Sequence, residues 1–187
     1  MFRWHSYLHL HLNKNLKELY LFDVLRFFSL STVGLFIPLY LIYDLGYGFL
    51  TTIVFYLIYF LTFALFSFLG GKLVLKYGAT IPILINSLFF IVGYFLLYLL
   101  KDYPIPLYLI AFIFGAGSPL FWVSYHSLLS KLTVKRYRGE SISVDYVLRG
   151  LVALLGPLFG AFIIATYGFQ VLFLLVCVLL LFSLIPL

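Results

Sequence analysis

Six long apolar runs, separated by short breaks rich in glycine, proline and charge, leave this chain few ways to fold. Each run is near the ~20 residues that a helix needs to cross the hydrocarbon core of a bilayer. The pattern predicts spans at Leu19–Tyr43, Tyr47–Leu69, Ile81–Leu100, Ile105–Leu129, Ile142–Tyr167 and Phe169–Leu187. The breaks carry turn and helix-stopping chemistry: Asp44-Leu-Gly-Tyr-Gly, Gly70-Gly71 to Gly78, Lys101-Asp-Tyr-Pro-Ile-Pro, Lys131 to Glu140, and Tyr167-Gly168. Connections this short make consecutive spans antiparallel. Composition agrees, with 65% of residues hydrophobic and 10% charged, where a soluble domain has about half and about a quarter. The expected class is an all-α, polytopic membrane protein in contact with the lipid bilayer.

The net charge of +6 raises the question of nucleic acid, but its placement assigns it to the membrane surface. Arg3, Lys14, Lys17, Lys72, Lys76, Lys131, Lys135, Arg136 and Arg138 fall at one side of the predicted spans, and only Lys101 at the other. Basic residues stay on the cytoplasmic side, so the expectation is a multi-pass protein of the cell membrane with its amino terminus inside. Residues 1–18 read as a separate interfacial segment, with Trp4, Tyr7, Leu8, Leu12 and Leu16 among lysines and histidines. His5 and His9 stand four apart but have no third ligand nearby, so no metal or other cofactor is expected. The single cysteine, Cys177, has no intrachain partner.

Charges inside the spans are the candidate functional groups, because an ionisable group in hydrocarbon persists mainly where it pairs, faces a cavity or works. Asp23 and Arg26 lie in the first span, and Asp145 and Arg149 in the fifth. Spacings of three and four put each acid and base on one helical face. The two helices run the same way, so the pairs sit at similar depth and can form a four-charge cluster. A gating or proton-coupling network is one reading; boundary residues reaching for the headgroups is the other. His126 adds a group that titrates near neutral pH. Ser118 and His126, eight residues apart on one helix, are too far apart for a nucleophile and its base, and no other catalytic set is present. An enzyme is therefore not expected. Phe and Tyr number 22 and 16, but they spread through every span, as composition bias would have it.

Two motifs carry a family resemblance. The break Gly70-Gly-Lys-Leu-Val-Leu-Lys-Tyr-Gly-Ala-Thr80 is a tight basic turn, and Gly156-Pro157-Leu-Phe-Gly160 follows Gly150 on the fifth span. Glycines let another helix come close, and Pro157 removes a backbone donor and bends its helix. The first motif resembles the loop between the second and third helices of the major facilitator superfamily, with Gly71, Lys76 and Gly78 in register. Leu75 stands where the family has an acid, and Ala79 and Thr80 replace a basic pair. The second motif resembles the Gly-Pro-x-x-Gly of that family's antiporters. Arg138-Gly139 and Asp44-Leu-Gly-Tyr-Gly also match in order. The family's fourth-helix arginine has no obvious counterpart.

The resemblance implies a six-helix domain over residues 19–187, built as two inverted three-helix units and equivalent to the amino-terminal half of a twelve-helix transporter. It implies secondary transport of a small solute by alternating access against a second six-helix half, on the same polypeptide or another copy. The Gly-Pro motif leans toward export in exchange for protons. The family's cavity is lined mainly by the first and fourth helices, and its fifth helix meets the other half. Asp23, Arg26, His126, Asp145 and Arg149 then form the charge network, and Gly71, Lys76, Gly78, Gly150, Gly156, Pro157 and Gly160 serve packing and gating. The alternative is a complete six-helix protein acting as a homodimer or as a non-transporting subunit. The chain's end in Ser-Leu-Ile-Pro-Leu leaves both a fragment and a full-length protein open.

Overall fold

A computed structural model describes residues 14–187. The interfacial segment predicted before Lys14, including His5 and His9, lies outside the described residues. Among the described residues, five helices are long and apolar enough to cross a membrane. We number them with the short α2: α1 (Lys14–Gly34), α2 (Phe36–Leu39), α3 (Phe49–Tyr77), α4 (Thr80–Leu99), α5 (Leu107–Leu132) and α6 (Arg138–Ser183).

The helix ends follow the breaks in the sequence, with two instructive exceptions. At the end of the first span, Pro38 interrupts the ordinary ladder and the chain widens into a π-helical turn over Tyr40–Asp44. The span therefore runs on from Lys14 to Asp44 with a bend rather than a stop. The second exception is the glycine-rich basic motif. The pattern predicts a break beginning at Gly70, but α3 continues through Gly70 and Gly71 to Tyr77 and stops only at Gly78. Lone glycines cost a helix about 1 kcal/mol each, too little to end one that is apolar on both sides. Gly78 does end it, because its φ of 77° and ψ of 177° suit only glycine. The same backbone shape recurs at Gly168, where φ is 84° and ψ 176° inside α6.

At Gly168 the chain turns back. In the arm before it, Ser141 accepts a bond from Tyr20 near the start of α1. Just after it, Gln170 donates to Asp102 beyond the far end of α4. Leu187 then lines a cavity with Asn15 and Glu18, back where α1 begins.

Helices pack in parallel pairs. The first arm of α6 lies along α1, through Tyr20 to Ser141 (2.9 Å), Ser31 to the Val152 carbonyl (3.1 Å) and the rings of Phe28 and Phe159. Gly156 and Gly160 make this closeness possible, since a Cβ on either would collide with Ser31 or with the Thr32 carbonyl. The second pair is α3 with α5, where Gly115 faces Tyr59 and Thr62, and Gly70 faces the Pro119 carbonyl. Helix α4 joins the pairs, with Asn86 bonded to the Gly117 carbonyl of α5 and Ile91 accepting from Cys177 in the second arm of α6.

Apolar packing forms two clusters toward opposite ends of the bundle. One gathers Leu16, Leu19, Tyr20, Phe22, Phe121 and Tyr125; the other gathers Tyr40, Leu41, Leu97, Ile110 and Phe173. Along α1, a buried polar stretch of Asp23, Arg26, Ser29 and Thr32 lies between them. That stretch is where the site is built.

Candidate functional site

All four charges predicted inside the spans are buried. Asp23 is 1% exposed, Arg26 4%, Asp145 3% and Arg149 6%. The helix bundle encloses all four side chains.

Arg149 is the centre. Its Nε donates to Asp23 Oδ2 at 2.7 Å and a terminal nitrogen donates to Asp23 Oδ1 at 3.2 Å, a two-pronged bond from α6 to α1. The same Nε lies 3.2 Å from Asp145 Oδ2, one helical turn away. Tyr125 of α5 donates its hydroxyl to the other oxygen, Asp145 Oδ1. All four carboxylate oxygens are thus partnered. Aromatic faces surround the cation, with Tyr125, Trp122 and Phe27 centred 4.7, 5.1 and 5.8 Å from the guanidinium carbon. Such faces stabilise a cation where water is excluded.

The predicted four-charge cluster is corrected to three charges. Asp145 and Arg149 do pair along their helix, but Asp23 pairs with Arg149 rather than with Arg26. A bidentate fork holds a carboxylate more firmly than a single contact, and Arg149 offers Asp23 that geometry across the helix pair. Arg26 instead donates to Asn86 Oδ1 at 2.9 Å, and Asn86 passes a bond on to the Gly117 carbonyl. A relay through neutral groups therefore ties α1 through α4 to α5. The guanidinium of Arg26 is stacked 3.5 Å from the ring centre of Phe121.

His126 lies on the exposed side of α5, stacked on Trp122 with ring centres 5.7 Å apart. It stands beside the cluster without joining its hydrogen bonds. Lys76 is at the exposed end of α3 over the Tyr77 ring. Gly71 and Gly150 meet no neighbour within this chain, whereas Gly156 and Gly160 are pressed against α1. Pro157 lies within α6 between those last two. The sequence pattern offers Asn86 only as a helix-packing group and gives Tyr125 no role. Asn86 is visible as a lone amide in an apolar run; Tyr125 carries no signal among so many tyrosines. Among the described residues no group of three or more His, Cys, Asp and Glu could hold a metal ion.

Apolar helices of membrane-crossing length around a buried ion network define a multi-pass membrane protein. The sequence matches the family model described as Major Facilitator Superfamily over residues 19–187, and the chain belongs to that family, as a domain like its amino-terminal half. No curated protein matches the sequence.

Proposed function

We propose that the chain moves a small solute by alternating access, with protons coupled through Asp23, Asp145 and Arg149. One buried arginine shared by two carboxylates from different helices is the observation that carries this reading. A proton on Asp23 removes the ionic part of the tie between α1 and α6, while a proton on Asp145 leaves that tie and weakens the acceptor that holds Tyr125 of α5. Protonation thus selects which helices are held together, and a carrier needs two arrangements biased by its ions. Arg26, His126 and the glycines act around this switch, Gly156 and Gly160 by letting α6 slide against α1. The direction, export in exchange for protons, rests on the Gly-Pro motif alone.

The two arms of α6 serve as the fifth and sixth spans. Its 46 residues would extend roughly 69 Å if straight, over twice the ~30 Å of hydrocarbon. Two observations support inverted three-helix units. Gly78 and Gly168 share one backbone conformation at corresponding turns. Matching the first three spans to the last three also converts the pair of α1 with α6 into the pair of α5 with α3. The basic ends then face the cytoplasm, and the apolar faces left open on α3 and on the first arm of α6 meet lipid and a second six-helix half.

The test is reconstitution in vesicles holding a pH dye, with solutes added outside. Solute-driven proton movement is expected for the native protein and lost in Asp145→Asn and Arg149→Met. Transport with unchanged pH dependence in both variants removes the coupling role. A chain that moves solute only beside a second half supports that partner, and one that works as its own homodimer supports the alternative assembly.

A further inference from the structure

Arg26 is the buried charge that the switch does not use. Among the described residues the other buried charges, Asp23, Asp145 and Arg149, have an opposite charge within 4.0 Å; Arg26 has none. Asp23, three residues away, directs both of its oxygens to Arg149 instead. The Nε of Arg26 is buried with no hydrogen-bond partner, and Asn86 is its single side-chain acceptor. An arginine has five N–H donors and a permanent charge, and burying it without an anion is strongly unfavourable.

A cavity of about 180 Å³ lies beside it, lined by residues that include Gly34, Tyr56, Tyr59, Phe90, Tyr94 and Phe114. The two are joined through Phe90, whose ring lines the cavity while its centre is 5.4 Å from the Arg26 guanidinium carbon. Three of the wall residues are tyrosines, which carry hydroxyl donors, and the walls contain no carboxylate. Gly34 is exposed and a side chain there would meet open space, so the cavity is reachable from that side. Arg26 does not itself line the cavity; aromatic walls with a few hydroxyl donors, and a cation behind the Phe90 ring, match an apolar molecule bearing an acid group.

We propose that this cavity binds a small amphipathic organic anion, its apolar body between the rings and its acid group on Arg26 past Phe90. This site rests on the transport reading and gives that reading its class of solute. Arg26 then serves recognition where Arg149 serves switching.

Calorimetry on the full chain in lipid nanodiscs tests it with benzoate, hexanoate, benzamide and benzylammonium. The two anions are expected to bind about tenfold or more tightly than the amide and the amine. Arg26→Gln should weaken benzoate by a similar factor. Gly34→Leu, whose Cβ would meet nothing within 4 Å, should block it, with thermal unfolding as the check that the variant is folded. Equal affinity for benzamide or benzylammonium overturns the proposal, as does benzoate binding retained in either variant or no saturable binding of either anion. If benzoate binds with this selectivity but is not carried into vesicles, the transport reading fails and the site stands. If the protein carries cations and Arg26→Gln leaves their transport intact, the site fails and the transport reading stands.

Discussion

Arg149 and Arg26 are buried to nearly the same degree, one on α6 and one on α1, and their surroundings are opposite. Arg149 has two carboxylates and three aromatic faces; Arg26 has one amide and a stack on Phe121. Each is the basic member of an acid–base pair spaced along a helix. The difference teaches that spacing proposes a partner, and the neighbouring helix decides. Asp23 lies three residues from Arg26 but is claimed by Arg149 because Gly156 and Gly160 bring α6 close enough for a bidentate bond.

The largest expected effect breaks or upholds this contrast directly. Arg149→Met strands two buried carboxylates and should cost about 3–5 kcal/mol of stability, as removing one partner of a buried ion pair does. Adding Asp23→Asn and Asp145→Asn should restore most of it, because neutral amides carry no unpaired charge. Arg26→Met removes a charge with no direct ion pair but leaves buried Asn86 Oδ1 without its donor, so it should cost less, about 1–3 kcal/mol. Thermal unfolding in nanodiscs reads all of these. Equal losses for the two arginines would erase the distinction on which the anion site depends.

Next in size is the contact that sets the distance between α1 and α6. Gly160→Leu should destabilise by about 1–3 kcal/mol, toward the upper end because the obstructing Thr32 carbonyl is backbone and cannot swing away. Gly150→Leu, facing open space in this chain, should stay within about 0.5 kcal/mol in the same assay. If both glycines respond alike, the closeness of the helices is not what orients Arg149. A large loss at Gly150 only when a second half is present would place that glycine at the interface between halves.

Much of this architecture is legible in the amino-acid sequence. The apolar helices, the turns at Gly78 and Gly168 and the close-packed Gly-Pro motif follow from hydropathy and from what glycine alone can do. For Asp23 and Arg26 the sequence leaves burial and headgroup contact equally open, and the fold encloses both. Side-chain choice between helices is what the sequence hides. Asn86 stands sixty residues from Arg26 in the chain, and they meet because α4, packed on α5 and α6, brings Asn86 across to α1. Tyr125 looks like its many neighbours until the fold sets Asp145 beside it. The run of α3 through Gly70 departs from the expected break for a plainer reason: Gly70 is pressed against Pro119 of α5, a contact that favours helix over turn.

Tyr125→Phe sharpens the comparison on the Arg149 side. The change keeps the ring near the guanidinium and removes only the hydroxyl bonded to Asp145. A lost bond to a carboxylate that retains its arginine should cost about 1.5 kcal/mol. Proton-coupled transport should also fall, since Tyr125 is the link from Asp145 to α5. Unchanged transport would leave Tyr125 a packing residue and move the switch to Asp23.

The smallest effect is expected where the same chemistry meets water. Lys101 pairs with Asp44 at 3.0 Å, close to the 2.7 Å of Arg149 with Asp23, but the lysine side chain is 46% exposed. Solvent screens such a pair, so the coupling between Lys101→Ala and Asp44→Ala should be about 0–1 kcal/mol and should shrink further as salt is added. The same double-mutant cycle on Asp23 and Arg149 should give several-fold more and resist salt. Similar couplings for the two pairs would mean that water reaches the buried cluster, and Arg26 would then need no ligand to explain its place.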